Sequence, residues 1–130
     1  MRTFECPVSD RESFIQKLIV REGLPVPDVY GQPDLMFTLA KVVKAEAREV
    51  FVFLPFDHVT EVAALGGRIH AGDELSGPRG KAGVYSSFGD LLQAEVPTKL
   101  GIKRMDNIVA LCKRCTREGL PVFIEGSGPV

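Results

Sequence analysis

Two rhythms of hydrophobic and polar positions divide this chain. In "SDRESFIQKLIVREG" the apolar residues Phe14, Leu18 and Ile19 recur at helical spacing, Ser9 or Asp10 stands as an N-cap, and Gly23 ends the run. Pro33, suited to a first helical turn, opens a second helix whose inward face carries Leu35, Met36, Leu39, Val42 and Val43. A third and clearer helix is "RMDNIVALCKRCTREG", with Met105, Ile108, Leu111, Cys112 and Cys115 on one side and Gly119 at its end. The other rhythm belongs to strands. Thr3 to Val8 reads as a short one, "EVFVFLPF" as a second, and "LPVFIEGSGPV" as a third. "EVFVFLPF" is apolar on both alternating faces, which predicts a strand covered on both sides and so a parallel sheet. Between these, "VTEVAALGG" predicts a short helix closed by Gly66 and Gly67. "RIHAGDELSGPRGKAGVY" predicts loops with one short strand, and "SSFGDLL" a capped turn or short helix. Strands separated by helical crossovers make an α/β fold with parallel strands.

Size and charge narrow the class. A chain of 130 residues is one ordinary domain in length. Its formal net charge of −1, with both signs interspersed, excludes the basic stripe of a nucleic-acid surface and a polybasic membrane patch. The longest apolar stretch, "VFVFLPF", is too short to span a bilayer, and "MRTFECPVSDRESF" lacks the layout of a signal peptide. Three cysteines, an odd number, make no disulfide framework, so a reducing cytoplasm is the expected location.

The candidate chemistry gathers where the long apolar run stops. Asp57 and His58 follow "VFVFLPF" directly. Asp57 reads either as the N-cap of "VTEVAALGG" or as a group presented at the carboxyl end of a parallel strand, where catalytic residues of such folds lie. His58, beside it, would point elsewhere and is the weaker acid or base. Cys112 and Cys115 form a C-x-x-C near the end of a helix, within its apolar stripe. A redox pair belongs at a helix N-terminus, and zinc would need a second pair of ligands, so packing is their expected role. "GPRGKAG" lacks the glycine and the hydroxyl residue of a phosphate loop; Gly77 and Pro78 make a turn that leaves Arg79 on the surface or reaching toward an anion. His70 is expected to be structural, and Cys6 a buried strand residue.

With Asp57 placed, the segment from Phe51 to Gly80 resembles the second-strand region of the uroporphyrinogen decarboxylase superfamily. The shared elements are the apolar strand Val52 to Phe56, Asp57, Ala64-Leu65-Gly66 and Gly77-Pro78. "PDVYGQPDLMFTLAKV" looks like that family's helix start, and "LPVFIEGSGPV" like its third strand with a glycine-proline loop. The resemblance runs from about Pro27 to Val130. It implies a partial (β/α)8 TIM barrel, the first three parallel strands with their helices, because a whole barrel takes about 250 residues. In the decarboxylase branch, a lyase activity, the aspartate at this place accepts pyrrole N–H groups of a tetrapyrrole and stabilises the ring cation formed before carbon dioxide leaves. That branch holds its substrate's carboxylates with an arginine-rich motif, where "FECPVSDRES" here has only Arg11. The other branch comprises cobalamin-dependent methyltransferases, and Pro55, Phe56 and Glu61 match it better.

The resemblance therefore implies a single, incomplete domain over 1–130, the amino-terminal part of an enzyme of corrinoid-dependent methyl transfer, with uroporphyrinogen decarboxylation as the alternative. Asp57 and His58 would be its catalytic groups. Glu61, Arg79, Gly126, Ser127 and Gly128 would bind substrate. No metal ligand and no cofactor are expected within this chain, while a partner-bound corrinoid, and zinc, belong to the complete enzyme. The partners would be a tetrapyrrole or corrinoid protein and the rest of the barrel, or a second copy through unpaired strand edges. The mildly apolar mean hydropathy of +0.07 fits an incomplete core. A different class of function is a stand-alone module that holds an anion or tetrapyrrole on the glycine-rich 66–83 segment without turnover.

Overall fold

The computed structural model describes residues 7–82, 85–94 and 103–125. Helix α1 spans Pro7–Arg21, a 3-10 turn Asp28–Tyr30, and α2 Pro33–Ala47. Strand β1 is Val52–Leu54, α3 is Thr60–Ala64, and β2 and β3 are Arg68–His70 and Arg79–Ala82. Helices α4 (Phe88–Leu92) and α5 (Lys103–Arg117) precede β4 (Val122–Ile124). Among the described residues no helix is long and apolar enough to cross a membrane.

The predicted parallel pairing is present: β1 runs parallel to β4, with Val52, Phe53 and Leu54 opposite Val122, Phe123 and Ile124. Bonds from Val52 N–H to the Pro121 carbonyl and from Glu125 N–H to the Leu54 carbonyl, 2.8 Å each, extend the ladder at both ends. The fold is thus α/β with a parallel strand pair and helices. Three parallel strands are not found among the described residues. Pro7 and Val8, expected at the end of a first strand, already lie in α1, because a proline suits the first turn of a helix and lacks the N–H a strand ladder needs. Residues 3–6, Cys6 included, lie outside the described residues. The second sheet is antiparallel and local. Strands β2 and β3 form a hairpin where one short strand was expected, with a register irregularity at Arg68/Ile69.

Helix α2 organises the core by burying two faces. Leu39 and Val43 pack with Ile15, Leu18 and Ile19 of α1 and with Tyr30. Met36, Phe37 and Ala40 pack with Val52 and Leu54 of β1 and with Ile108, Leu111 and Cys115 of α5. A helix apolar on two sides is what a layer between two others requires. Among the described residues strand β1 is covered on one face only, where the sequence suggested cover on both. Val52 and Leu54 point into the core, while Phe53 is half-buried on the opposite face against Phe123, their ring centroids 5.4 Å apart. Arg11 of α1 reaches that face, its guanidinium 4.9 Å from the Phe53 ring centroid.

The C-x-x-C residues pack as expected. Cys115 is fully buried and Cys112 lies against the same cluster. Burial pushes both thiols above their ordinary range, the direction opposite to that of a reactive cysteine.

Candidate functional site

Strand β1 ends at Leu54 and delivers residues 55–59 to one end of the parallel pair. Asp57 is there and is buried, 6% exposed. Its Oδ1 accepts the Val59 N–H at 3.0 Å, closing a tight side-chain turn over two residues. Helix α3 takes Val59, not Asp57, as its N-cap, and no side chain caps it. Asp57 stands too early in the chain for the capping role, and its carboxylate folds back instead, leaving Oδ2 to another partner. That partner is Arg104, in the first turn of α5, whose Nη2 donates to Oδ2 in an ion pair. The Arg104 Nε donates to the Thr60 hydroxyl at 3.2 Å, so one guanidinium joins α5 to the end of β1 and the start of α3. The side chains of Arg104 and Asp57 are 17% and 3% exposed.

Nothing in the reading of the sequence selected Arg104, although two signals were available. It continues the buried stripe Ile108, Leu111, Cys115 one turn toward the N-terminus, where a charge must find a counter-charge. It is also a cation at the positive end of a helix dipole, an unfavourable place unless a carboxylate answers it.

A cavity of about 500 Å³ opens at this end of the sheet, a size suited to a small molecule. Its wall includes Pro55 to Val59 beyond β1 and Glu125 beyond β4, so both parallel strands point their carboxyl ends into it. Arg11, Glu12 and Ile15 of α1 form a second side, and Gly77 to Gly80 a third. Of the predicted site residues, the structure brings Asp57, His58 and Arg79 to this cavity. His58 is exposed where it lines the cavity, whereas its neighbour Asp57 is buried. Arg79 is exposed, with Nη1 donating to the Ser76 hydroxyl at 2.5 Å. Glu61 lies half-buried in α3, outside the cavity's lining among the described residues. Gly126, Ser127 and Gly128 lie outside the described residues.

The third side is latched to α1 by polar contacts. Gln16 Nε2 donates to the Asp73 carbonyl and Tyr30 OH donates to Gln16 Oε1, 2.9 Å each. The Asp73 carboxylate in turn accepts the N–H groups of Leu75 and Ser76, at 2.9 Å each, and shapes the loop. Gly77 sits so close to α1 that a Cβ there would meet Glu12 Oε1 at 3.0 Å. Burial, helped by the negative charges of Asp57 and Glu12, pushes the Tyr30 phenol up to about 12, so it stays a neutral donor. His70 is structural, as expected: its Nδ1 accepts the Gly72 N–H at 3.2 Å. Among the described residues no group of three or more His, Cys, Asp or Glu could hold a metal ion.

No protein-family profile and no curated protein matches the chain. A solved structure does. The chain is similar to a methyltransferase from Methanosarcina mazei. The two share 26% identity and superpose with a TM-score of 0.71, over 88% of this chain and 34% of that one. This chain therefore spans about a third of the length of the protein it matches. The match supports an α/β fold shared with that methyltransferase.

Proposed function

We propose that this chain is the amino-terminal portion of a uroporphyrinogen-decarboxylase-like (β/α)8 barrel that transfers a methyl group from a corrinoid protein to a small acceptor. The observation that carries this reading is the cavity at the carboxyl ends of β1 and β4, with Asp57 in its wall, in a chain whose fold matches a methyltransferase. In this reading β1 and β4 are neighbouring staves, and the hairpin, α4 and α5 form the crossover between them. The half-open face bearing Phe53 and Phe123 would be covered by further staves, either later in a longer polypeptide or from another chain.

The pairing of Asp57 favours methyl transfer over decarboxylation. A carboxylate that must stabilise a pyrrole cation works by its unbalanced negative charge. Here Arg104 already answers that charge, and Val59 N–H takes the other oxygen. Asp57 serves better as a fixed, neutralised wall than as a counter-ion. His58, exposed on the rim, is the group we assign to proton removal from the acceptor, since histidine is the side chain that most often serves as a general base. The acceptor's proton would pass to His58, the freed lone pair would bond the methyl carbon, and the electrons of the broken bond would stay with the donor. The described residues bring no three His, Cys, Asp or Glu together and so do not fit a resident zinc ion.

The test uses the native polypeptide that carries residues 1–130, a methylated corrinoid as donor and a thiol as acceptor. Loss of the donor's absorbance and the mass of the methylated thiol are followed together. Transfer is expected, and His58→Ala should slow it by about 100-fold. Carbon dioxide release from uroporphyrinogen, or corrinoid binding without transfer, would overturn the reading in favour of a decarboxylase or a non-catalytic module.

A further inference from the structure

The hairpin that forms the cavity's third side is built differently at its two ends. At its base, Gly67 N–H donates to the Val62 carbonyl at 2.8 Å, and a Cβ on Gly67 would meet Val62 Cγ1 at 2.5 Å. The chain is therefore clamped to α3 where the hairpin begins. Strands β2 and β3 pair only with each other among the described residues, in a sheet separate from β1 and β4. Neither apolar core cluster takes a described residue from 68–82.

The far end is compact in itself. Gly72 has φ +97°, and a Cβ there would meet the Ser76 carbonyl oxygen and the Pro78 nitrogen at 3.2 Å each. Asp73 N–H donates to the Ser76 carbonyl at 2.9 Å, and the Asp73 carboxylate holds the Leu75 and Ser76 N–H groups. Residues 72–78 thus form one closed turn that can move as a body. Between this turn and the clamped base, one weak line crosses the hairpin. The register breaks between Arg68 and Ile69, and Ile69 faces Gly80, where a Cβ would have nothing within 4 Å. A bulge disrupts the local ladder and a glycine absorbs backbone rotation, which together make a hinge.

Little holds the turn against α1. The Gln16 side chain donates to the Asp73 carbonyl, and Gly77 rests beside Glu12 Oε1. Leu75 is 93% exposed, so its side chain adds almost no burial. A second cavity of about 190 Å³ lies between the two, lined by Glu12, Ser13 and Gln16 of α1 and by Leu75, Ser76 and Gly77. Atoms that face such a gap forfeit packing contacts. Glu12 and Gly77 line both cavities, so their contact is the partition between them.

We propose that residues 70–79 are a gate on the larger cavity: they swing on the Ile69–Gly80 line, are held shut by Gln16, and when open join the two cavities into one wider mouth. Lids of this kind admit a ligand and then close over it. The gate stands whichever reaction the cavity serves.

The test follows the reactivity of a thiol placed in the cavity wall of the native polypeptide. Val59 is 5% exposed and lines the cavity, and the tryptic peptide 49–68 that contains it has no cysteine of its own. Val59→Cys is treated with N-ethylmaleimide, and the label is read by mass spectrometry. The folded protein should label at least about tenfold more slowly than the same protein in urea. Adding Gln16→Ala removes a hydrogen bond from the closed state, so labelling should quicken by about fivefold. Cys115, fully buried in the core, should keep its rate in the same digest. Should Val59→Cys fail to fold, Val62→Cys reports from the same wall and the same peptide. Labelling of the folded protein at the unfolded rate would mean that the cavity stands open with no gate. An unchanged rate on adding Gln16→Ala would also overturn the inference. So would Cys115 quickening by the same factor, because the whole molecule would then be opening.

Discussion

The cavity's two longer walls are held in place by different forces. The wall beyond β1 is tied to the core: Leu54 and Leu111 are completely buried, and Asp57, three residues beyond Leu54, is buried and paired with Arg104. The wall formed by Gly77 to Gly80 belongs to a two-stranded hairpin with a bulge, and an isolated hairpin is marginal in water. What holds it against α1 is a chain of polar contacts from Tyr30 through Gln16 to the Asp73 carbonyl, together with the close seat of Gly77. Packing energy rises with buried area, whereas a polar latch contributes only about 1 kcal/mol per bond. A ligand between the walls would therefore find one side fixed and the other able to adjust.

Breaking the fixed wall should have the largest effect. Arg104→Met leaves the buried Asp57 carboxylate without its counter-ion, and the expected loss is about 3 kcal/mol even after relief of the unfavourable helix dipole. Urea unfolding measures it. Adding Asp57→Asn to the same protein should restore most of the loss, because the damage comes from the orphaned charge rather than from the missing pair. A loss below about 0.5 kcal/mol would equate this pair with an exposed one, and the contrast between the walls would fail.

The phenol that anchors the latch gives a second and smaller effect, read in alkali. Tyr30 is pushed up to about 12 in the folded protein, against about 10 for a free phenol. Below pH 10 both states keep the proton and the stability is unaffected. Between 10 and 12 the unfolded chain loses its proton first, so stability falls as pH rises through that window, by about 2 kcal/mol at its upper end. Tyr30→Phe should remove this limb from the stability profile. A profile that keeps the same slope in the variant would place the phenol in water.

The sequence and the structure agree where one periodicity dominates. Helices α2 and α5 were legible because their apolar positions repeat at helical spacing, and the strand at 52–54 because valine, phenylalanine and leucine crowd one short run. Asp57 was legible by position, at the end of that run. Its partner was not, because residues 57 and 104 stand 47 positions apart and their pairing leaves no local pattern. The hairpin was under-read for a different reason. "RIHAGDELSGPRGKAG" has too few apolar residues to show a period of two, and its strands are held by backbone pairing and by Asp73, not by a buried face. The apolar run of β1 misled in one respect. Apolar residues on both faces of the strand suggested two covers, and only the face with Val52 and Leu54 has one among the described residues.

The smallest change tests the adjustable wall most directly. Gln16→Ala removes the acceptor of the Tyr30 hydroxyl and the donor to the Asp73 carbonyl together. Two bonds are lost, yet Asp73 stands at an exposed loop where water can replace its partner, so the net cost should be only about 1 kcal/mol. The location of the effect matters more than its size. If the latch is what seats the hairpin, amide hydrogen exchange at Ile69, His70 and Lys81 should quicken by about fivefold, while Val52 and Ile124 in the parallel pair keep their rates. Exchange that quickens equally in both sheets would mean that the molecule opens as one unit and the walls are not independent. Unchanged exchange in the hairpin would leave the seat of Gly77 against Glu12 as the contact that holds it, and the adjustable wall would then be hinged on the same carboxylate that faces the cavity.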